Sequence, residues 1–106
     1  MSDDHARSAA AAVPAGARRV DVVGDGALAA RLRESLPAPS STGAPDAIVE
    51  TTGDPAAIAD ALRRLDDLGT LVLAGPAPRG PVALDLYADL HVRGLTVVGV
   101  APAEAE

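Results

Sequence analysis

A short apolar strand followed at once by a glycine turn is the feature that most restricts how this 106-residue chain can fold. Val20–Val23 has the composition of a strand, Gly24 and Gly26 form the turn, and Ala29 lies in a predicted helix. Gly24 allows the tight turn, Gly26 leaves the backbone without a Cβ, and Ala29 lets the helix pack closely on the strand. Because a helix N-terminus attracts anions, the spacing predicts either a phosphate-binding turn or a strand–helix turn without a ligand.

The rest of the chain alternates between strand-like and helix-like segments. Four short, mostly apolar segments are predicted to be strands: 19–23, 46–51, 70–74 and 95–100. Between them lie three segments predicted to be helices, of which the last is the least regular: 27–36, 55–68 and 84–91. This alternation is typical of parallel strands joined by helical crossovers. We therefore expect an α/β fold with four parallel strands, in two or three layers, and a single domain over 19–100.

The two ends of the chain and one internal segment do not follow this pattern. Residues 1–18 have two interpretations, an N-terminal helix capped by Ser2 or a frayed tail. Residues 37–45 are rich in proline and serine and are predicted to be a loop. Residues 101–106 are predicted to be a loose C-terminus.

Composition argues against several classes of function. There is no cysteine, which excludes disulfides and thiolate metal sites, and we predict no metal site. The formal net charge of -6 argues against nucleic acid and anionic lipid as partners. No apolar run is long enough for a membrane span, and the N-terminus lacks the basic start of a signal peptide. A cytoplasmic protein is expected.

Turn residues after the second and third strands extend the candidate site. Since the carboxyl ends of parallel strands meet at one edge of a sheet, these residues should lie beside the glycine turn. The predicted cofactor-binding residues are the small or hydroxyl-bearing residues of these turns: Gly24, Gly26, Ala29, Thr52, Gly53 and Gly75. Ordinary turn chemistry is the alternative interpretation of the last three.

Few side chains qualify as catalytic groups. Glu50 is either a buried acid or a solvated strand end, and His91 is either a general base or a surface residue. Asp54 is predicted to cap a helix, and Tyr87, the single aromatic residue, is predicted to pack in the core. The sequence shows no nucleophile–base pair and no basic groove.

Several of these stretches together resemble the nucleotide-binding domain of the medium-chain dehydrogenases/reductases, the zinc-type alcohol dehydrogenase superfamily. The matching stretches occur in the family's order: 13–26, 45–53, 68–75, 81–86 and 94–99. The resemblance implies a Rossmann-like fold and NAD(P) as a candidate cofactor. In the family, a strand, a helix and a further strand occupy the place of the loop 37–45, and they carry the acid that binds the adenosine ribose.

These departures shape what the resemblance implies. In the family's numbering the strand order becomes 1-4-5-6, a shortened unit whose first strand is an edge, as the charges of Arg18, Arg19 and Asp21 suggest. The other edge, Leu95–Val100, carries neither charge nor proline. In the family this strand commonly pairs with its twin, so we expect a homodimer. In this shorter unit, right-handed crossovers would place the first helix on the face of the sheet opposite to the one it covers in the family. One face of the sheet would then be bare unless the N-terminal helix or a partner covers it.

Three functions are compatible with this sequence. The first is a dehydrogenase-derived module without the catalytic domain, homodimeric, which binds a small molecule or assists a partner enzyme. The second is a small tailoring enzyme that uses the crevice at the strand ends. The third is a residual NAD(P)-dependent oxidoreductase, although the missing zinc ligands and ribose acid make classical alcohol dehydrogenase activity the least expected outcome.

Overall fold

The computed structural model describes residues 3–37, 43–76 and 78–101, which form four helices and four strands. The helices are α1 (Asp3–Ala12), α2 (Ala27–Ser35), α3 (Pro55–Arg64) and α4 (Leu86–His91). The strands are β1 (Val20–Val23), β2 (Ala47–Glu50), β3 (Thr70–Leu73) and β4 (Thr96–Gly99). Helix α4 is a turn of π-helix, in which the N–H of Val92 donates to the carbonyl of Tyr87 at 2.9 Å.

All four strands are parallel, and their order in the sheet is β1-β2-β3-β4. The first residues of the strands are in register, so that Val20 pairs with Ala47, Ala47 with Thr70 and Thr70 with Thr96. The expected α/β fold is therefore confirmed, with β1 and β4 at the two edges. Every residue of β2 is buried, because helices cover both faces of the sheet.

Helices α1 and α2 cover one face of the sheet. Leu28 and Leu32 of α2 pack with Val49 of β2, and Ala6 and Ala9 of α1 complete the same cluster. The small side chains of α1 let it lie close to both α2 and β3. Of the two interpretations of the N-terminal residues, the structure thus shows the helix, although its predicted cap Ser2 lies outside the described residues, as do 38–42 and 102–106.

Helices α3 and α4 cover the other face. Ile58, Leu62 and Leu65 pack against Ile48 of β2 and Leu71 of β3. Because neighbouring residues of a strand point to opposite faces, Ile48 lies in this cluster while Val49 lies in the first one.

The position of α2 differs from the expectation. Each crossover leads to the next strand on the same side, from β1 to β2 and from β2 to β3. Two crossovers of the same hand would therefore place α2 and α3 on the same face of the sheet. They lie on opposite faces, and the β1–α2–β2 and β2–α3–β3 crossovers therefore have opposite hands. The expectation of uniformly right-handed crossovers was wrong. With α2 and α1 on one face and α3 and α4 on the other, the apolar residues on both sides of β2 and β3 are buried.

The end of α3 was also predicted wrongly. The helix ends at Arg64 rather than near residue 68, because Arg93 donates to the carbonyls of Leu62 (2.7 Å) and Leu65 in place of further helical turns. Leu68, expected within this helix, lies beyond its end, is 79% exposed and has a positive φ of 66°.

Candidate functional site

The carboxyl ends of β1, β2 and β3 open into a cavity of about 460 Å³. The glycine turn 24–29 forms one wall, Thr51 and Thr52 after β2 form the floor, and 74–76 after β3 form the opposite wall. His5 of α1 also lines the cavity. Ligand pockets of small-molecule-binding α/β proteins have this location and this size.

The two glycines of the turn have different tasks. Gly24 has a φ of +130°, and a Cβ at this position would collide with the Thr51 hydroxyl, so this residue must be glycine for β1 and β2 to end side by side. Gly26 has a φ of -79°, and a Cβ there would meet nothing within 4 Å. The open space at Gly26 belongs to the cavity. Ala29, fully buried, lets α2 approach the sheet, as the spacing predicted.

The first turn of α2 lines the cavity. Gly26 is the N-cap residue and makes no side-chain cap bond in the described part of the chain. The helical bonds begin with the N–H of Ala30, which donates to the Gly26 carbonyl at 3.0 Å, so earlier amides have no helical partner. These amides and the helix dipole favour an anionic group, whereas the Asp25 carboxylate beside them favours a donor.

Hydrogen bonds and close packing between strand ends hold the floor of the cavity. The Thr51 hydroxyl donates to the Val23 carbonyl at 2.7 Å, and the Thr51 N–H donates to the same oxygen at 3.0 Å. A Cβ on Gly75 would lie 2.5 Å from the carbonyl carbon of Thr51, so glycine is needed for this close approach. Gly75 and Thr51 both line the cavity.

Glu50 is a buried acid, 1% exposed, and serves the turn that follows β2. Its carboxylate accepts hydrogen bonds from the N–H groups of Thr52 and Gly53, each at 3.1 Å, and from the Thr52 hydroxyl. Glu50 and Gly53 lie outside the cavity lining, whereas Thr52 is part of it. In this arrangement the carboxylate fixes the conformation of the turn.

The remaining predicted residues lie away from the cavity lining. Asp54 caps α3 and accepts from the N–H of Ala56 at 3.4 Å, as predicted. His91 lies exposed on α4, and its ring centroid is 5.2 Å from that of Tyr87. Tyr87 is 66% exposed, so the expectation that it packs in the core was wrong. Asp85 accepts from the first amides of α4.

Sequence reasoning did not single out His5. Its side chain is only 4% exposed, and Nε2 donates to the carbonyl of Ala74 at 2.7 Å. The carbonyl can only accept, so Nε2 carries the proton. One signal in the sequence points to this position: His5 is one helical turn before the fully buried Ala9, on the same face of α1.

An acidic residue at the opposite end of the sheet has a shifted pKa. Partial burial raises the pKa of Asp46, but hydrogen bonds from the N–H groups of Arg18 and Arg19, both at 3.0 Å, together with the Arg19 charge, outweigh this effect. The net result is a pKa below the ordinary value. Asp46 therefore joins the start of β2 to the residues that precede β1.

The described residues contain neither a cluster of metal ligands nor a membrane-spanning helix. No group of three or more His, Cys, Asp or Glu side chains there is placed to hold a metal ion. None of the helices in these ranges has the length and hydropathy needed to cross a membrane.

Comparison with solved structures shows that the fold is shared with dehydrogenases. 2R,3R-butanediol dehydrogenase from Bacillus subtilis superposes with a TM-score of 0.75 at 18% identity, over 91% of this chain and 39% of that chain. L-idonate 5-dehydrogenase from Escherichia coli superposes with a TM-score of 0.66 at 17% identity, over 91% and 38%. A candidate zinc-binding dehydrogenase from Sinorhizobium meliloti, bound to NADP, has a TM-score of 0.65 at 18% identity, over 91% and 41%.

This chain thus spans about two fifths of the length of each of these dehydrogenases. No protein-family model matches it, and no curated protein matches it. The likeness at these identities concerns the fold. The chain has a Rossmann-like unit similar to part of the zinc-type medium-chain dehydrogenases.

Proposed function

We propose that this chain is a Rossmann-like ligand-binding module, related to dehydrogenases, that binds a small anionic molecule in the cavity at the carboxyl ends of β1–β3. The carrying observation is the open space at Gly26, where the first amides of α2 meet a cavity of about 460 Å³. This combination offers an anion both hydrogen-bond donors and a favourable helix dipole.

The lining suggests how such a ligand would lie. Its anionic group would face the amides at Gly26, and its apolar part would contact Leu28, Ala74 and Pro76. A hydroxyl or amino group of the ligand would donate to Asp25, whose carboxylate would otherwise repel the anion. The ligand class is therefore a small phosphate or carboxylate that also carries a donor group.

NAD(P) is the second candidate ligand. It is supported by the shared fold with dehydrogenases, one of which is bound to NADP, and by the glycine turn in the cavity wall. A third hypothesis is a tailoring enzyme that uses the same crevice. The titratable residues of the cavity lining that such an enzyme could use are His5 and Asp25.

Isothermal calorimetry with four probes tests the binding proposal: NAD, NADPH, ADP-ribose and inorganic phosphate. We expect saturable binding of at least one of them to the wild-type chain. Gly26→Ala adds a methyl group inside the open space and should weaken that binding at least tenfold. The same change at exposed Gly16, where a Cβ also meets nothing within 4 Å, is the matched control. Absence of binding at millimolar concentrations, or equal weakening by both variants, would reject the proposed site.

We also propose that the chain forms a homodimer through β4. The N–H of Thr96 donates to the Gly69 carbonyl and that of Val100 to the Leu73 carbonyl, so the main-chain groups of Val97 and Gly99 point outward. Val97 is 41% exposed, and β4 carries neither charge nor proline. Such an edge is a template for pairing with a second strand.

Light scattering after size exclusion tests this dimer. Val97→Pro removes an outward N–H, and Val97→Lys places a charge at the edge, so both should give monomers. Ala11→Lys adds the same charge on the exposed side of α1 and should leave the mass unchanged. A monomeric wild type, or a dimer that survives both Val97 changes, would reject the interface.

A further inference from the structure

The guanidinium of Arg33 is hydrogen-bonded to two carbonyls of the first strand and its turn. Nη2 of Arg33 donates to the Val22 oxygen at 2.7 Å and to the Gly24 oxygen at 2.8 Å. Both distances are typical of charge-assisted hydrogen bonds. Arg33 lies in the last turn of α2, and the side chain reaches these carbonyls although the residue itself is exposed.

These two carbonyls lie on the outer edge of the sheet. The carbonyls of Arg19 and Val23 accept from β2, through the N–H groups of Asp46 (2.9 Å) and Thr51 (3.0 Å). Carbonyls alternate in direction along a parallel strand, so that of Val22 points away from β2. Arg33 therefore occupies acceptors that an added strand would use.

The two edges of the sheet thus differ. At β1, the guanidinium of Arg33 covers two successive carbonyls that point away from the sheet, those of Val22 and Gly24. At β4, in the part of the chain that the structure describes, no side-chain hydrogen bond to the outward groups of Val97 and Gly99 is seen. Apart from Asp21, whose carboxylate pairs with Arg64 at 3.2 Å, β1 consists of valines, and such a strand would otherwise pair readily with another chain.

We propose that Arg33 closes the β1 edge against a second copy of this chain, so that the sheet can be extended only at β4. The closure of β1 stands on the two hydrogen bonds of Arg33, and only the role of β4 rests on the proposed homodimer. Loss of Arg33 would leave an uncovered edge at which two copies could pair antiparallel about a two-fold axis.

The mass of Arg33→Met in solution, measured by light scattering over a range of concentrations, tests this proposal. Methionine keeps an unbranched, apolar side chain but donates no hydrogen bond. We expect the mass to rise at least twofold over wild type, increasing with concentration. Arg63→Met is the matched control, since Arg63 also lies in the last turn of a helix and is exposed. It should keep the wild-type mass.

The double variant Arg33→Met/Val97→Pro separates the two edges. If both proposals hold, wild type is a dimer, Arg33→Met forms larger assemblies, and the double variant stops at a dimer. If β4 does not pair, wild type is a monomer and Arg33→Met is a dimer, which overturns the homodimer but supports the role of Arg33. A folded Arg33→Met with the wild-type mass at all concentrations overturns that role.

Circular dichroism establishes that each variant is folded. Should Arg33→Met fail to fold, Arg33→Gln takes its place with the same readouts, because its amide is too short to reach both carbonyls. An unchanged mass for a folded Arg33→Gln would then overturn the proposal.

Discussion

His5 near the N-terminus and Ala74 after β3 are joined by a hydrogen bond of 2.7 Å from the imidazole Nε2 to the backbone carbonyl. The bond connects positions 69 residues apart and fastens α1 to the end of β3 beside the cavity. A buried polar contact of this kind orients a helix in which half of the residues are alanine.

His5→Ala should therefore lower the free energy of unfolding by about 1–3 kcal/mol, because the Ala74 carbonyl would lose its partner in a buried position. Urea denaturation measures this change. Arg7→Ala, on the exposed side of the same helix, is the control and should change stability by less than about 0.5 kcal/mol. Equal midpoints for the two variants would show that the bond does not hold α1.

Gly75→Ala should destabilise the fold more than Gly26→Ala does. A methyl group on Gly75 would press on the Thr51 backbone at 2.5 Å, and overpacking of this kind costs about 1–3 kcal/mol. A methyl group on Gly26 enters open space, so only the N-cap preference for glycine is lost, less than about 1 kcal/mol. Thermal unfolding should place Gly75→Ala well below Gly26→Ala. The reverse order would contradict the described approach of β2 and β3.

Glu50→Gln should destabilise the turn after β2. The glutamine amide offers one accepting oxygen where the carboxylate offers two, so at least one donor of Thr52 or Gly53 loses its partner. The expected cost is about 1.5–3 kcal/mol in urea denaturation at pH 7. Glu34→Gln, exposed on α2, removes the same charge and should be nearly neutral. A similar loss in both variants would mean that charge, and not the turn, is responsible.

Asp46→Asn should remove a pH-dependent part of the stability. The pKa of Asp46 is lowered in the folded chain, so its contribution is present above the unfolded pKa, about 3.9, and is lost as the pH falls through the folded value. The difference in unfolding free energy between wild type and Asp46→Asn should be constant above about pH 5 and shrink below about pH 4. Urea denaturation at pH 7 and pH 3 measures it. A difference that stays constant or grows on acidification would contradict the assignment.

The sequence determined the kinds of elements and their order. Short, mostly apolar segments predicted the strands, the helix-like segments between them predicted α2 and α3, and the glycine turn predicted where β1 meets α2. The position of the candidate site also follows from sequence, since parallel strands bring Gly24, Thr52 and Gly75 to one end of the sheet. Such patterns are local, because each one depends only on the residues within a single element.

Only the tertiary structure decided how these elements are placed around the sheet. Periodicity shows that α2 has an apolar side but not which face of the sheet it covers, and here the hand of its crossover departs from the common rule. In the same way, the cavity contact of His5 and the edge covered by Arg33 each join residues of different elements, 69 residues apart for His5 and 9 and 11 residues apart for Arg33. Their positions follow from packing, which buries the apolar residues on both faces of β2 and β3 at once.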